Sequence, residues 1–495
     1  MSALTAYART LAAERQIAQP VASVRHVHVS DRPLVFVPLQ LAGEANAPLA
    51  AIVGSDRGTP TVLTVAEPRD RNQRFAFIAD LADVILPYIE GYPLGTREAK
   101  NGNLVPVAGD APQLIVPGPA AVAFTRLLGR SARFRRTDGP YAVPATVPLV
   151  GRWLSFYSER PEVPGSSLTL VVTDALASHW ATGQSPEEDL NLASILGWIA
   201  PPPGMTGAEA ALLAEDPVRC PPAGPATDPT FDNEVLEGLI KAVRAARLTG
   251  GGSGRIRHAL TEELRTQLEP TWERMWQAVD LLRALRPGDH VASRWERDCS
   301  AFARYADWAR ATGLPQPKHD GAVQASRRLW DLEEDQRRFA AERAYDDPLV
   351  MAEHRMSGEA FAGTVAAAEP TRVDASGRRR VLRPRITVET GDRVVVEPGT
   401  VLTSPARTAQ EARVISVEAG ERTLVTLELQ KGMGQSLTPP PGSVPELGER
   451  VCYATFNLGY QRRPEFPPRE ETPWTHGGPP APYVPPDENA QEAWS

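Results

Sequence analysis

The hydrophobic pattern opens with three short apolar runs, PLVFVPL (33–39), PLAAIVG (48–54) and TVLTVAE (61–67). GEANA and SDRGTP separate them, and Gly, Asn and Asp favour turns because they tolerate the backbone angles that reverse a chain. The pattern predicts a meander of antiparallel strands. Pro33, Pro38 and Pro48 belong at strand ends or edges, because proline has no N–H to donate to a central ladder. The period then changes: Phe75, Ile78, Ala82, Ile85 and Ile89 recur at helical spacing, with Pro87 bending or ending that helix. QLIVPGPAAVAFTRLLGRSARFRR (113–136) reads as strand, turn and helix, with Pro119 near the first helical turn. SSLTLVVTD (166–174) is a further strand. Ser185, Pro186 and Glu188 form a capping box ahead of the apolar face Leu192, Ile195, Leu196 and Ile199, which Pro201–Pro203 terminates.

The later pattern divides the chain. A Pro/Gly/Asp-rich connector follows the mixed α/β region 1–200 and spans 201–230. Helical periodicity dominates 231–357, interrupted by TGGGSG (249–254), and this predicts a helical bundle. From 358 to 460 the runs become β-rich (RVLRPRITVET, DRVVVEPGTVLT, RTLVTLELQ) with turn signals between them. About five strands at this spacing predict a small β-barrel of OB or SH3-like type. Residues 461–495 are Pro-rich and read as a disordered or surface-wrapped tail. The expected fold class is therefore α+β multidomain, and the length of 495 residues suits about three domains.

Composition narrows the function. The net charge of −8 gives no global basic footprint for nucleic acid, so any such contact must come from a local patch. Only four of the 53 basic residues are Lys, so Arg clusters arise by composition more readily than usual. The three cysteines are far apart, which argues against a disulfide framework or a four-cysteine zinc site and fits a reducing cytoplasm. No run of about 18 apolar residues exists, so no membrane partner is expected. None of the four Lys is followed by Ser or Thr, which removes a P-loop; GGGSGR is a linker. No HExxH, G-x-S-x-G, kinase, deaminase or dinucleotide signature is present, and neither a cofactor nor a metal is expected.

Several weaker constellations remain. YDDPLVMAEHRMSGEAFAGTV (345–365) packs Asp346, Asp347, Glu353, His354 and Glu359 into one stretch. Asp347 and Pro348 suit a helix start, and Glu353 and His354 lie about 100° apart on a helix, so the stretch reads as a structural joint and not an acid–histidine centre. Glu98-x-Lys100 has the spacing of metal-dependent PD-(D/E)xK nucleases, in which the carboxylate binds the metal and the Lys steadies water or phosphate. Asp80 or Asp83 would be the upstream acid, although the E-x-K follows YPLGTR and not an apolar strand. His179 with Glu187, Glu188 and Asp189 could ligate a metal, but acids in a first helical turn already complement the helix dipole. Asp228 and Asp232 read first as turn and cap residues. GRRRVLRPR places Arg378, Arg379, Arg380, Arg383 and Arg385 on a hairpin beside the barrel, a plausible phosphate contact without aromatic partners on the same strands. The run GRSARFRR (129–136) could add to such a patch or cover a helix C-terminus.

The expectation is a non-catalytic binding or adaptor protein that contacts DNA or RNA through the basic hairpin and acts with a partner enzyme such as a helicase or nuclease. The alternatives are a metal-dependent hydrolase built on Glu98 and Lys100, and a scaffold that docks through Trp474 and Tyr483 of the tail.

Overall fold

The computed structural model describes residues 2–44, 46–99, 101–217, 219–221, 224–249, 254–311, 321–375, 377, 380–434, 436–459, 461–465 and 471. It is an α+β multidomain chain. Among the described residues two compact units form, one from residues 5–332, the other from residues 2–4 and 333–465.

The first unit is built on a five-stranded mixed sheet. The strands are β1 (Leu34–Gln40), β2 (Pro48–Gly54), β3 (Thr61–Thr64), β4 (Leu114–Val116) and β5 (Thr169–Val171), in the order β3-β2-β1-β4-β5. The expected antiparallel meander is β1–β2–β3. β4 and β5 then add parallel to β1. A parallel addition needs a crossover, which helix Arg71–Glu90 supplies before β4, and helices Pro119–Ala132 and Thr146–Glu159 before β5. β5 is shorter than its apolar run suggests: at Val172 the chain turns into a helix, and Thr173 N–H donates to Pro117 O across the strand ends.

Both sheet faces are covered, which explains why β1 and β2 read as continuous apolar runs instead of alternating ones. Leu34, Phe36, Ala51, Val53, Leu114 and Val116 share one core with helices Arg71–Glu90, Pro119–Ala132, Thr146–Glu159 and Val291–Ala311. Val35, Val37, Ile52, Ile115 and Leu170 share the other with Leu192–Ile199 and Gly254–Ala284. The long C-terminal helices of this unit thus close the sheet's two faces.

The second unit is a closed barrel of six strands. These are β6 (Ala360–Glu369), β7 (Arg385–Thr390), β8 (Val401–Ser404), β9 (Arg407–Glu418), β10 (Thr423–Leu429) and β11 (Arg450–Ala454), in the order β6-β7-β10-β9-β8-β11. Alternate residues point inward: Ile386, Val388, Val414, Val425, Leu427 and Tyr453 fill the lumen. Gly363 lets β6 pass close to β7, where a Cβ would run into the Glu389 carbonyl. The C-terminal half of helix Ala322–Asp346 belongs with the barrel. Arg337 is held bidentate by Glu334 (2.8 and 2.6 Å) and donates to Asn457 O and Gly459 O, while Tyr345 Oη donates to Phe456 O (3.1 Å).

The stretch at 345–365 is the joint between that helix and β6. Asp347 caps helix Pro348–Ser357 by accepting from Leu349 N–H, Pro348 fills the first turn, and Gly358 ends it at φ +88°. His354 Nδ1 meets Glu359 at 2.8 Å and its ring packs on Phe456, while Glu353 accepts from the Ser2 hydroxyl. His354 and Glu359 pair with each other, Asp347 and Glu353 bond elsewhere, and among the described residues no three acidic or histidine side chains gather as a metal site.

Candidate functional site

The arginine hairpin is a short ribbon outside the barrel sheet, Val373–Asp374 paired with Val381–Leu382 between β6 and β7. Its root is tightly fastened. Arg372 Nη1 donates to Glu428 Oε2 (2.8 Å) and to Arg383 O (2.9 Å), and Arg383 N–H returns a bond to Arg372 O (2.8 Å). Arg383 Nη1 reaches Leu382 O and Gln430 O, and Arg385 Nη2 lies 3.6 Å from the same Glu428 carboxylate. Leu382 is buried in the barrel core. Arg380, nearer the tip, is exposed and makes no hydrogen bond or ion pair among the described residues. Arg378 and Arg379 lie outside the described residues.

The surrounding unit is not basic: between 333 and 465 the sequence has 18 Lys and Arg against 20 Asp and Glu. Phe361, Tyr453 and Phe456 are committed to packing within the unit. Phe361 and Tyr453 lie in the barrel lumen, Tyr453 Oη donates to Gln410 Oε1 (2.8 Å), and Phe456 packs between Tyr345 and His354. The ribbon is therefore where this unit concentrates its positive charge.

In the other unit, Asp80 and Asp83 sit one turn apart on the outer face of helix Arg71–Glu90, where partial burial and the Asp83 charge raise the pKa of the Asp80 carboxyl. Glu98 ends the first strand of an exposed ribbon, Leu94–Glu98 with Leu104–Ala108, and its carboxylate makes no hydrogen bond or ion pair among the described residues. Lys100 lies outside the described residues. Ser185 and Glu188 form the reciprocal capping bonds (2.6 and 3.2 Å), around a short turn that precedes the helix capped by Asn191. Asp189 is buried, accepting from Thr182 Oγ1 (2.6 Å), Gln184 Nε2 (3.0 Å) and Arg9 Nη2 (3.2 Å). His179 Nε2 accepts from His26 N–H (3.0 Å), so its ring holds the backbone. Asp228 accepts from Thr230 and Phe231 N–H as a cap, and Asp232 accepts from Ala42 N–H (3.3 Å). Among the described residues no three His, Cys, Asp or Glu side chains gather as a metal site, and no helix is long and apolar enough to cross a membrane. Trp474 and Tyr483 lie outside the described residues.

One arrangement is not foreseeable from the sequence. Helices Thr146–Glu159 and Val291–Ala311 meet along an aromatic column, with Phe156 stacked on Tyr305 (4.2 Å, 23°) and Tyr305 beside Trp308 (5.4 Å). Arg160 lies over the Phe156 ring at 4.6 Å and Arg304 beside it, at an open cleft of about 430 Å³. The signal is present as F-x-x-Y-x-x-W at 302–308, but helical aromatics at that spacing ordinarily pack in a core.

No protein-family model, curated protein or solved structure matches this chain.

Proposed function

We propose that the protein is a non-catalytic binding protein, an adaptor that contacts single-stranded nucleic acid through the ribbon beside its barrel and acts with a partner enzyme such as a helicase or nuclease. The observation that carries this reading is the division among the ribbon's arginines. Arg372, Arg383 and Arg385 are engaged with Glu428 and backbone carbonyls, and hold the root in a fixed pose. Arg380 makes no hydrogen bond or ion pair among the described residues, and the sequence places Arg378 and Arg379 next to it. A rigid root under a cationic tip suits phosphate contact, since little ordering entropy is lost on binding. The sequence lacks the P-loop, zinc and hydrolase motifs that would supply chemistry, so an adaptor role leaves the chemistry to the partner.

The test is fluorescence anisotropy with a labelled single-stranded oligonucleotide. Replacing Arg378, Arg379 and Arg380 together by Ala should weaken binding about tenfold or more. It should also lower the salt slope by up to about 2, at roughly 0.7 for each phosphate the variant no longer neutralises. Unchanged affinity in the triple variant, or no binding by the intact chain at low salt, overturns the reading.

A further inference from the structure

The cleft between helices Thr146–Glu159 and Val291–Ala311 joins two features. The first is positive charge that no acid holds by a hydrogen bond or ion pair among the described residues. Arg160 is half-buried, its Nε finds no acceptor, and its guanidinium makes no hydrogen bond or ion pair among the described residues. Burial depresses its pKa most; the Glu159 and Asp298 charges pull the other way, and the like charges of Arg328 and Arg304 add to the lowering. A guanidinium in that position is costly unless an anion pairs with it. Among the nearby acids, Glu159 offsets this charge through space but forms no ion pair with it among the described residues. Glu162 is held by Arg126 (2.5 Å) and faces Arg328 (3.6 Å), and Asp298 accepts from Ser166 and Ser167. Arg304 is exposed on the same rim, again with no bonding partner among the described residues.

The second feature is a stacking surface. Tyr305 is locked by its hydroxyl, which donates to Arg152 O (2.8 Å), and by Phe156 and Trp153 against its ring. Trp308 continues the column outward as a half-buried indole at the cleft wall. Glu159 also lines the cleft and makes no hydrogen bond or ion pair among the described residues. A carboxylate there repels a bare anion but accepts well from an amino or ring N–H group. The volume of about 430 Å³ falls within the range of roughly 300–1,000 Å³ usual for small-molecule sites.

We propose that this cleft binds a nucleoside phosphate, as a free nucleotide or as one unit of a single strand: Arg160 and Arg304 take the phosphate, Trp308 stacks on the base, and Glu159 accepts from the base edge. The site is independent of the barrel ribbon. The contact is sequence-tolerant where stacking and charge dominate, and Glu159 biases it towards bases that present an N–H donor.

The experiment uses the full chain carrying the three ribbon-tip alanines, so that the ribbon neither masks nor mimics the cleft. Adenosine monophosphate, a labelled single-stranded oligonucleotide and inorganic phosphate are each titrated, following tryptophan fluorescence or anisotropy. Saturable binding of the nucleotide, or of the oligonucleotide alone, that weakens at least about fivefold in both Trp308→Ala and Arg304→Ala supports the site and identifies which source it takes. Arg304 is exposed, so its variant folds, and far-UV circular dichroism checks both. Binding of neither nucleotide nor oligonucleotide overturns the proposal. So does binding that inorganic phosphate displaces equally well and that Trp308→Ala leaves unchanged, since that describes charge alone.

Discussion

Asp298→Asn is a sharp test of the buried polar framework at the sheet's edge. Asp298 sits on helix Val291–Ala311 at 6% exposure, accepting from Ser166 Oγ (2.6 Å) and Ser167 N–H (2.7 Å), which fixes the chain's entry into β5. Burial raises its pKa from the ordinary 3.8 to about 6, against the opposing pull of those two bonds and of Arg160 and Arg297. The folded chain therefore retains this proton at pH values where the unfolded chain has lost it. Stability from this group is fully present below pH 3.8 and is lost as pH rises through about 6. About two pH units at about 1.4 kcal/mol each give roughly 3 kcal/mol in all, of which about 2 kcal/mol falls between about pH 4.5 and 7.5. Asn carries no charge, keeps an acceptor for Ser167 N–H and can donate to Ser166 Oγ. Urea unfolding read by tryptophan fluorescence isolates the right unit, because eight of the ten tryptophans lie between 153 and 330 and none between 333 and 465. The stability of Asp298→Asn relative to the parent should rise by about 2 kcal/mol across that pH range. A difference that stays flat with pH, or that falls, refutes the reasoning.

The barrel supports two further predictions, both read by hydrogen–deuterium exchange of its strands. Gly363→Ala forces a methyl against the Glu389 carbonyl where β6 crosses β7 and should destabilise the barrel by about 1–3 kcal/mol, with faster exchange in β6 and β7. Asp347→Ala removes the cap of helix Pro348–Ser357 and should cost about 1 kcal/mol or more, with the helix's first turn exchanging earliest. Protection unchanged from the parent in either variant contradicts the packing described.

Much of the fold was legible because local chemistry and tertiary structure agree. The runs at 33–39, 48–54 and 61–67 became β1, β2 and β3 because turn residues bracket each one. The β-rich stretch after 358 closed into a barrel because its alternation matches an inside and an outside, as in β7, where every second residue is buried. The parallel addition of β4 and β5 was not legible: three-residue apolar strands such as LIV and TLV carry no signal of partner or direction. Helices Gly254–Ala284 and Val291–Ala311 showed apolar faces suited to a bundle, but periodicity does not say whether such a face meets helices or a sheet. The arginine hairpin was legible as a cluster, but not its split into root and tip, which depends on Glu428, more than 40 residues away in sequence. The cleft was invisible for the same reason: Phe156 and Tyr305 meet only through tertiary packing.

The most direct measurement of nucleic-acid binding is the salt dependence of oligonucleotide affinity for the intact chain beside a variant with all three tip arginines replaced. The intact chain should bind at low salt and weaken linearly in log–log form, with a slope in the variant shallower by up to about 2. A single common slope for both proteins, or an intact chain that binds no oligonucleotide at low salt, contradicts a phosphate-binding ribbon.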